Sequence, residues 1–241
     1  MADCISCFYV DQKEEMERMM KMLGYFHPEV TIEAMNYKDL QRIGITDLAF
    51  SYSKIGRALY NQYNTITHID ADVLIVDKLD ELFDDSTDAR AGRCNSDTNL
   101  AGTNIGFAWD GIPWQKYLNS GIHSITGQVF WDAWYAADVD HITSAPLGEN
   151  GTFNQIFYSG KFRTTLLDPI EQPVHYGTSC QYGTKTHWDS WKEIKVINDH
   201  LEINNKRIKM LHIAGGGTHK PELNTLFNPD VLDFINIIIK G

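Results

Sequence analysis

Apolar and polar positions change period block by block along this chain. Residues 5–10 form a short continuous apolar run, the pattern of a buried strand. Beyond it, Met16, Met19, Met20 and Leu23 recur at helical spacing. Asp11, with Glu14 three residues on, supplies a capping-box-like start for that helix. A second strand is predicted over 30–35. A helix follows over 48–63, with Leu48, Tyr52, Ile55 and Leu59 on one side, and a third strand over 65–69. This β-α-β-α-β opening predicts an α/β fold: a mostly parallel central sheet flanked by helices. Further along, strands are expected at 104–109, 122–125 and 162–167, and helices at 128–137 and 152–159. Asn204-Asn205 between the apolar stretches 201–203 and 207–213 signals a hairpin, so a small antiparallel element is expected near the C-terminus. A closing helix covers 230–239, with Pro229 at its first turn. No repeat or linker interrupts the pattern, and residues 1–241 read as one domain.

Composition narrows the function. The chain is 43% apolar and 22% charged, ordinary for a globular protein. No apolar run is long enough to span a bilayer, and residues 1–10 lack the basic start and cleavage site of a signal peptide, so a soluble cytoplasmic protein is expected. A net charge of −11 argues against a nucleic-acid partner, which needs a basic stripe. It also means that a phosphate-bearing substrate needs a metal ion or locally placed cations. Cys4 and Cys7 form a C-x-x-C, but they lie inside a predicted strand and no second cysteine pair accompanies them; with Cys94 and Cys180 they read as reduced thiols.

The strongest chemical signal is Asp70-Ala71-Asp72 at the end of the third strand. Ligands of open α/β sheets bind at the carboxyl ends of strands. Two carboxylates there concentrate negative charge, which a hard divalent ion such as Mn²⁺ or Mg²⁺ relieves while also recruiting substrate phosphates. A capping or turn role is the plainer alternative. Asp138-Val139-Asp140 has the same spacing and reads as a solvated helix end. The second signal runs from Leu211 to Pro221, where a strand delivers His212, then a glycine run, then Lys220-Pro221. Glycine backbone N–H groups form an anion-binding nest. Lys220 adds a point charge, and His212 at the strand end can serve as an imidazole ligand.

The string DVLIVDKLDELF from Asp72 to Phe83, then Asn119-Ser120-Gly121, Asn154-Gln155 and the His212-to-Pro221 segment occur in that order. Together they resemble the glycogenin and lipopolysaccharide galactosyltransferase group of GT-A-fold glycosyltransferases (glycosyltransferase family 8). The resemblance covers most of the chain. It implies a Rossmann-like GT-A domain and a metal held by Asp70, Asp72 and His212. It also implies a diphosphate grip from Gly215, Gly217 and Lys220, and a nucleobase beside Tyr9 and Val10, with Asp11 next to them. Lys54, with Arg57 as a rival, falls near the basic residue that touches donor phosphate and sugar. Asn104 falls near a polar donor-sugar contact, and Asn119 and Gln155 match two further motif residues at the reacting centre. The donor implied is a UDP-sugar, UDP-glucose or UDP-galactose, transferred with retention to a glycan, lipid or protein acceptor. Asn154 departs from the family's usual aspartate, which bears on the donor sugar.

Other readings stay open. A nucleotidyltransferase on a similar sheet favours a glycine-rich basic loop after strand one, where this chain is acidic. A non-catalytic sugar-binding protein does not need both a metal pair and a phosphate grip. An inverting mechanism needs a base, for which Glu149 is the nearest unassigned candidate. Trp131 and Trp134, at helical spacing, read as core; Trp188 and Trp191 read as acceptor-stacking candidates.

Overall fold

The computed structural model describes residues 2–9, 12–46, 51–93, 118–141, 148–167, 174–178, 191–203, 205–213 and 222–241. The opening runs β1 (Ala2–Tyr9), α1 (Lys13–Phe26), β2 (Thr31–Asn36), α2 (Tyr37–Arg42), α3 (Ser51–Leu59) and β3 (Tyr63–Ile69). There follow β4 (Val73–Ile75), a short 3-10 helix (Asp80–Phe83), β5 (Ala89–Arg93), β6 (Leu118–Thr126), α4 (Gln128–His141), α5 (Glu149–Phe157), β7 (Thr164–Leu166) and β8 (Val174–Thr178). After a 3-10 turn at Trp191–Glu193, the chain closes with β9 (Lys195–Ile197), β10 (His200–Ile203), β11 (Lys206–His212), α6 (Leu223–Leu226) and α7 (Pro229–Lys240).

A six-stranded sheet has the order β2-β1-β3-β6-β5-β7. β2, β1 and β3 are parallel, as are β5 and β7, while β6 runs antiparallel between β3 and β5. The expected α/β architecture is therefore present, with one reversed strand inside it. Strand alternation divides the core in two. Ile5, Cys7, Ile69 and Ile122 belong to the cluster under α1 and α7; Cys4, Ile66 and Ile125 belong to the cluster that includes Ile55, Trp131, Trp134 and Phe153 of α3, α4 and α5. The antiparallel element is larger than its hairpin signal. β9, β10 and β11 are joined by β4 from mid-chain, and β8 pairs with β11 in parallel. The hairpin itself is as expected, with Asn205 in the left-handed region at φ 60°.

Several boundaries differ from the expectation for physical reasons. Before α1 the N-cap position is Gln12, which makes no side-chain cap bond, and Asp11 lies outside the described residues. On α1 the buried methionines are Met16, Met19 and Met22; Met20 is only partly covered, because α1 packs on β4 and α7 as well as β1. α3 ends at Leu59 rather than 63, since Tyr63 already pairs with Ala2. α2 was not anticipated. Asn36 caps it, accepting from Lys38 N and Asp39 N, while Asp39 returns a bond to Asn36 N. α5 begins at Glu149 and ends at Phe157, and α4 continues to His141 because Asp138 faces inward. Cys4 and Cys7 are buried and free, and burial pushes the Cys7 thiol up to about 12. Trp131 and Trp134 are core, as expected. Trp191 is not an acceptor platform: it is buried and stacked on Phe227, with ring centroids 5.5 Å apart. Trp188 and the strand expected at 104–109 lie outside the described residues.

Candidate metal centre

β3 carries the chain to Asp70, and the backbone around it is pinned at three points. Asp70 N donates to Gly121 O at 2.8 Å, Val73 N to Asp70 O at 3.2 Å, and Ile213 N to Asp72 O at 3.0 Å. β4 then pairs antiparallel with β11, setting Val73 opposite His212. This pairing is what brings together residues distant in sequence. His212 Nε2 lies 3.0 Å from Asp72 Oδ1 and 3.6 Å from Asp70 Oδ2. One ligand atom from each of Asp70, Asp72 and His212 falls within 4.8 Å of the others. The His212 side chain is 3% exposed, Asp72 10% and Asp70 24%, so the cluster opens to solvent on the Asp70 side. Two carboxylates and one imidazole at this spacing fit a hard-to-borderline divalent ion with positions left for substrate oxygens.

A layer behind Asp70 escaped the sequence reading. Tyr52 on α3 donates its hydroxyl to Asp70 Oδ1 at 2.8 Å, and His68 Nε2 meets the same oxygen at 3.3 Å. Burial first, then the Asp70 charge, pushes the Tyr52 phenol well up, so it remains a donor. Arg18 was also missed. Its Nε is buried without a hydrogen-bond partner among the described residues, and its charge on α1 feels Glu15, Asp72 and Glu14. His68 was legible in principle, because it is the last residue but one of β3 and lies two residues before Asp70. Tyr52 had been read only as part of an apolar helix face, and nothing local distinguishes Arg18.

The remaining candidates fall at varied places. Lys54 is half-buried on α3, one turn from Arg57. Arg57 is engaged by α4, donating from Nε to Asp132 at 3.0 Å and lying 4.3 Å from the Tyr135 ring centroid. Tyr9 ends β1 and packs partly buried against the core. Asn119 lies in β6, and only its backbone is described. Gln155 is on α5, with Oε1 buried and without a hydrogen-bond partner among the described residues. Val10, Asp11, Asn104, Gly215, Gly217 and Lys220 lie outside the described residues. Asn154 has a role the motif did not suggest. It accepts from Leu118 N at 2.8 Å and donates to Leu118 O at 3.0 Å, while Asn150 accepts from Ser120 N at 2.6 Å. The two asparagines, one helical turn apart, satisfy the β6 backbone beyond the end of β3. An ionised aspartate, which can only accept, could not make both bonds in place of Asn154.

Asp138 overturns one expectation. It is not at a solvated helix end; it is fully buried, accepting from the hydroxyls of Ser53 and Thr152. It stands four and seven residues after Trp134 and Trp131, on the same inward face of α4. Burial raises its carboxyl to about 6. Nearby, Glu149 Oε1 accepts from Ser53 N at 3.1 Å, and burial together with Asp138 pushes Glu149 well up. Glu149 is thus tied to the α3 backbone, inside the junction of α3 and α5.

No protein-family model matches this sequence, and no curated protein does either. Solved structures do match in fold. The bifunctional glycosyltransferase WbbM superposes over 100% of this chain with a TM-score of 0.57 at 15% identity, and the chain spans only 50% of WbbM. The galactosyltransferase LgtC, solved in complex with donor and acceptor sugar analogs, matches over 99% of this chain and 95% of its own, with a TM-score of 0.56 at 13% identity. An active-site mutant of LgtC matches at 0.54 and 14% identity. The chain thus has the GT-A glycosyltransferase fold that its motifs implied.

Proposed function

We propose that this chain, acting as one domain over residues 1–241, is a metal-dependent glycosyltransferase using a nucleoside-diphosphate hexose. The single observation that carries this is the convergence of Asp70, Asp72 and His212 at the carboxyl end of β3, in a fold shared with glycosyltransferases. The three would hold Mn²⁺ or Mg²⁺. When bound, such an ion supplies Lewis-acid stabilisation for the charge that builds on a leaving diphosphate. Arg18, half-buried on α1, feels the charge of Asp72 along with that of Glu15 and Glu14, and it offsets local negative charge in a chain that carries −11 overall. Gly215, Gly217 and Lys220, directly after the strand of His212, are assigned to the diphosphate as preorganised donors. Tyr9, Val10 and Asp11 are assigned to the nucleobase, and Lys54 and Asn104 to the donor phosphate and sugar. Gln155 and Asn119 are assigned to the reacting face, where the buried, unpartnered Gln155 Oε1 is consistent with an acceptor waiting for a sugar hydroxyl.

The donor is read as UDP-glucose or UDP-galactose and the transfer as retaining. The acceptor hydroxyl attacks from the leaving-group side, and its proton passes to a diphosphate oxygen. Glu149, the one carboxylate considered as a base, is buried and engaged by Ser53 N, which favours the retaining reading. The acceptor is a glycan, lipid or protein. Thermal shift across a panel of nucleotide sugars, with and without Mn²⁺, tests the proposal. One nucleotide class should raise the melting temperature only with the ion, since a ligand bound by the folded state alone stabilises it. If no sugar nucleotide does so under any metal, the proposal fails.

A further inference from the structure

A carboxylate ligand has two oxygens, and which one meets a metal depends on what holds the other. Around Asp70 the division is clear. Oδ1 receives the Tyr52 hydroxyl at 2.8 Å and faces His68 Nε2 at 3.3 Å, while Oδ2 is the oxygen turned to His212 Nε2, 3.6 Å away. An ionised carboxylate can only accept, so the Nε2 proton belongs to His68. In the neutral ring Nδ1 is then an acceptor, and the buried Ser6 hydroxyl lies 3.3 Å from it. Ser6 and His68 are register partners across β1 and β3, so the sheet itself holds this hydroxyl against Nδ1. The rings are also held in place. Tyr52 meets His68 edge-on at 4.4 Å between centroids, and His123 stacks behind His68 at 5.4 Å. His123 Nδ1 is 2.5 Å from Ser120 O, which fixes that ring in turn.

We infer that Tyr52 and His68 are positioning residues that lock Asp70 by Oδ1, so that Oδ2 alone is presented as a monodentate metal ligand. This rests on the metal-centre reading above and adds a selection step to it. With Oδ1 occupied, Asp70 cannot chelate through both oxygens or rotate out of the site. Neither residue touches the ion; both act through Asp70.

The test is Mn²⁺ binding to the whole chain, followed by electron paramagnetic resonance of free and bound ion, with Mn²⁺ alone as the probe. Tyr52→Phe removes one hydroxyl and should weaken Mn²⁺ affinity about 10-fold. His68→Leu should do the same or more, and His68→Gln, which keeps an N–H donor, should recover most of the loss. The spectrum of bound Mn²⁺ should change in Tyr52→Phe as Oδ1 becomes available. Melting temperature without metal, measured alongside, reports folding. Folded Tyr52→Phe and His68→Gln proteins with unchanged Mn²⁺ affinity and spectrum, even at a lower melting temperature, would mean a structural role only and overturn the inference. A parent protein that binds no Mn²⁺ would sink the metal-centre reading and this inference with it, whereas equal binding by parent and variants sinks this inference alone.

Discussion

Asp70-Ala71-Asp72 and Asp138-Val139-Asp140 share one local pattern, and the fold treats them differently. The first sits in a turn between two strands, its backbone tied to Gly121 and Ile213, its side chains gathered opposite His212 and open on one side to solvent. The second lies on a helix. Asp138 turns into the junction of α3, α4 and α5, where Ser53 and Thr152 fill its oxygens, and Asp140 faces water. A pair on a turn can converge on one point, whereas residues two apart on a helix diverge by more than a right angle. The backbone under the motif, and not the motif, decides whether two carboxylates make a ligand set or one makes an internal clasp.

The sharpest way to break this comparison is to disable each region and ask what the other loses. Asp72→Asn and His212→Ala should abolish metal-dependent transfer. At an ion concentration of about 100 times Kd they should also lose the roughly 2.7 kcal/mol that a bound ligand adds to stability. Asp138→Asn should retain both properties. Melting curves with and without Mn²⁺ decide it, and a normal Mn²⁺ shift in His212→Ala would remove that residue from the centre.

Within the helical region the largest effect belongs to a glycine. A Cβ on Gly56 of α3 would lie 2.2 Å from the Trp131 ring, so Gly56→Ala must push α3 off α4, at a cost of about 3 kcal/mol by denaturant unfolding. A cost under about 1 kcal/mol would mean that Trp131 yields easily. Asp138→Ala should cost about 2 kcal/mol, because it strands the Ser53 and Thr152 hydroxyls, while Asp138→Asn costs less. Both should leave Mn²⁺ affinity unchanged.

The smallest effect separates the two regions by pH. Asp138 binds its proton more tightly in the folded state, at about 6 against an ordinary 3.8, so its contribution to stability is complete in acid and is lost as pH rises through about 6. Glu149 shifts in the same direction. Stability measured from about pH 4 upward should therefore fall less steeply in Asp138→Asn than in the parent. An identical profile in the two would show that Asp138 does not titrate there.

Much of this was legible in the sequence where a single element carries the signal. The apolar run of β1, the stripe of α1, the Asn-Asn hairpin and the strand that delivers His212 each need only local rules. What escaped depends on partners brought from elsewhere. The reversal of β6 between β3 and β5 follows from strand order, which periodicity does not encode. Burial of Asp138 depends on Ser53 arriving from α3, and the Tyr52 hydroxyl finds its role only once α3 lies over β3. Asn154 matched a motif position, yet its amide is taken up by the backbone of Leu118, a contact that no pattern in the helix announces.

The pairing of β4 with β11 also sets an order of events during synthesis. The strand that supplies the imidazole, β11, is made well after Ile75, and so is Gly121, whose carbonyl ties the turn of the two aspartates. Until β11 docks, β4 lacks the strand it pairs with, and Asp72 lacks the imidazole that stands opposite it. Capture of the ion is thus coupled to the docking of β11, and chains interrupted before residue 206 should emerge inert, however well the preceding elements have folded.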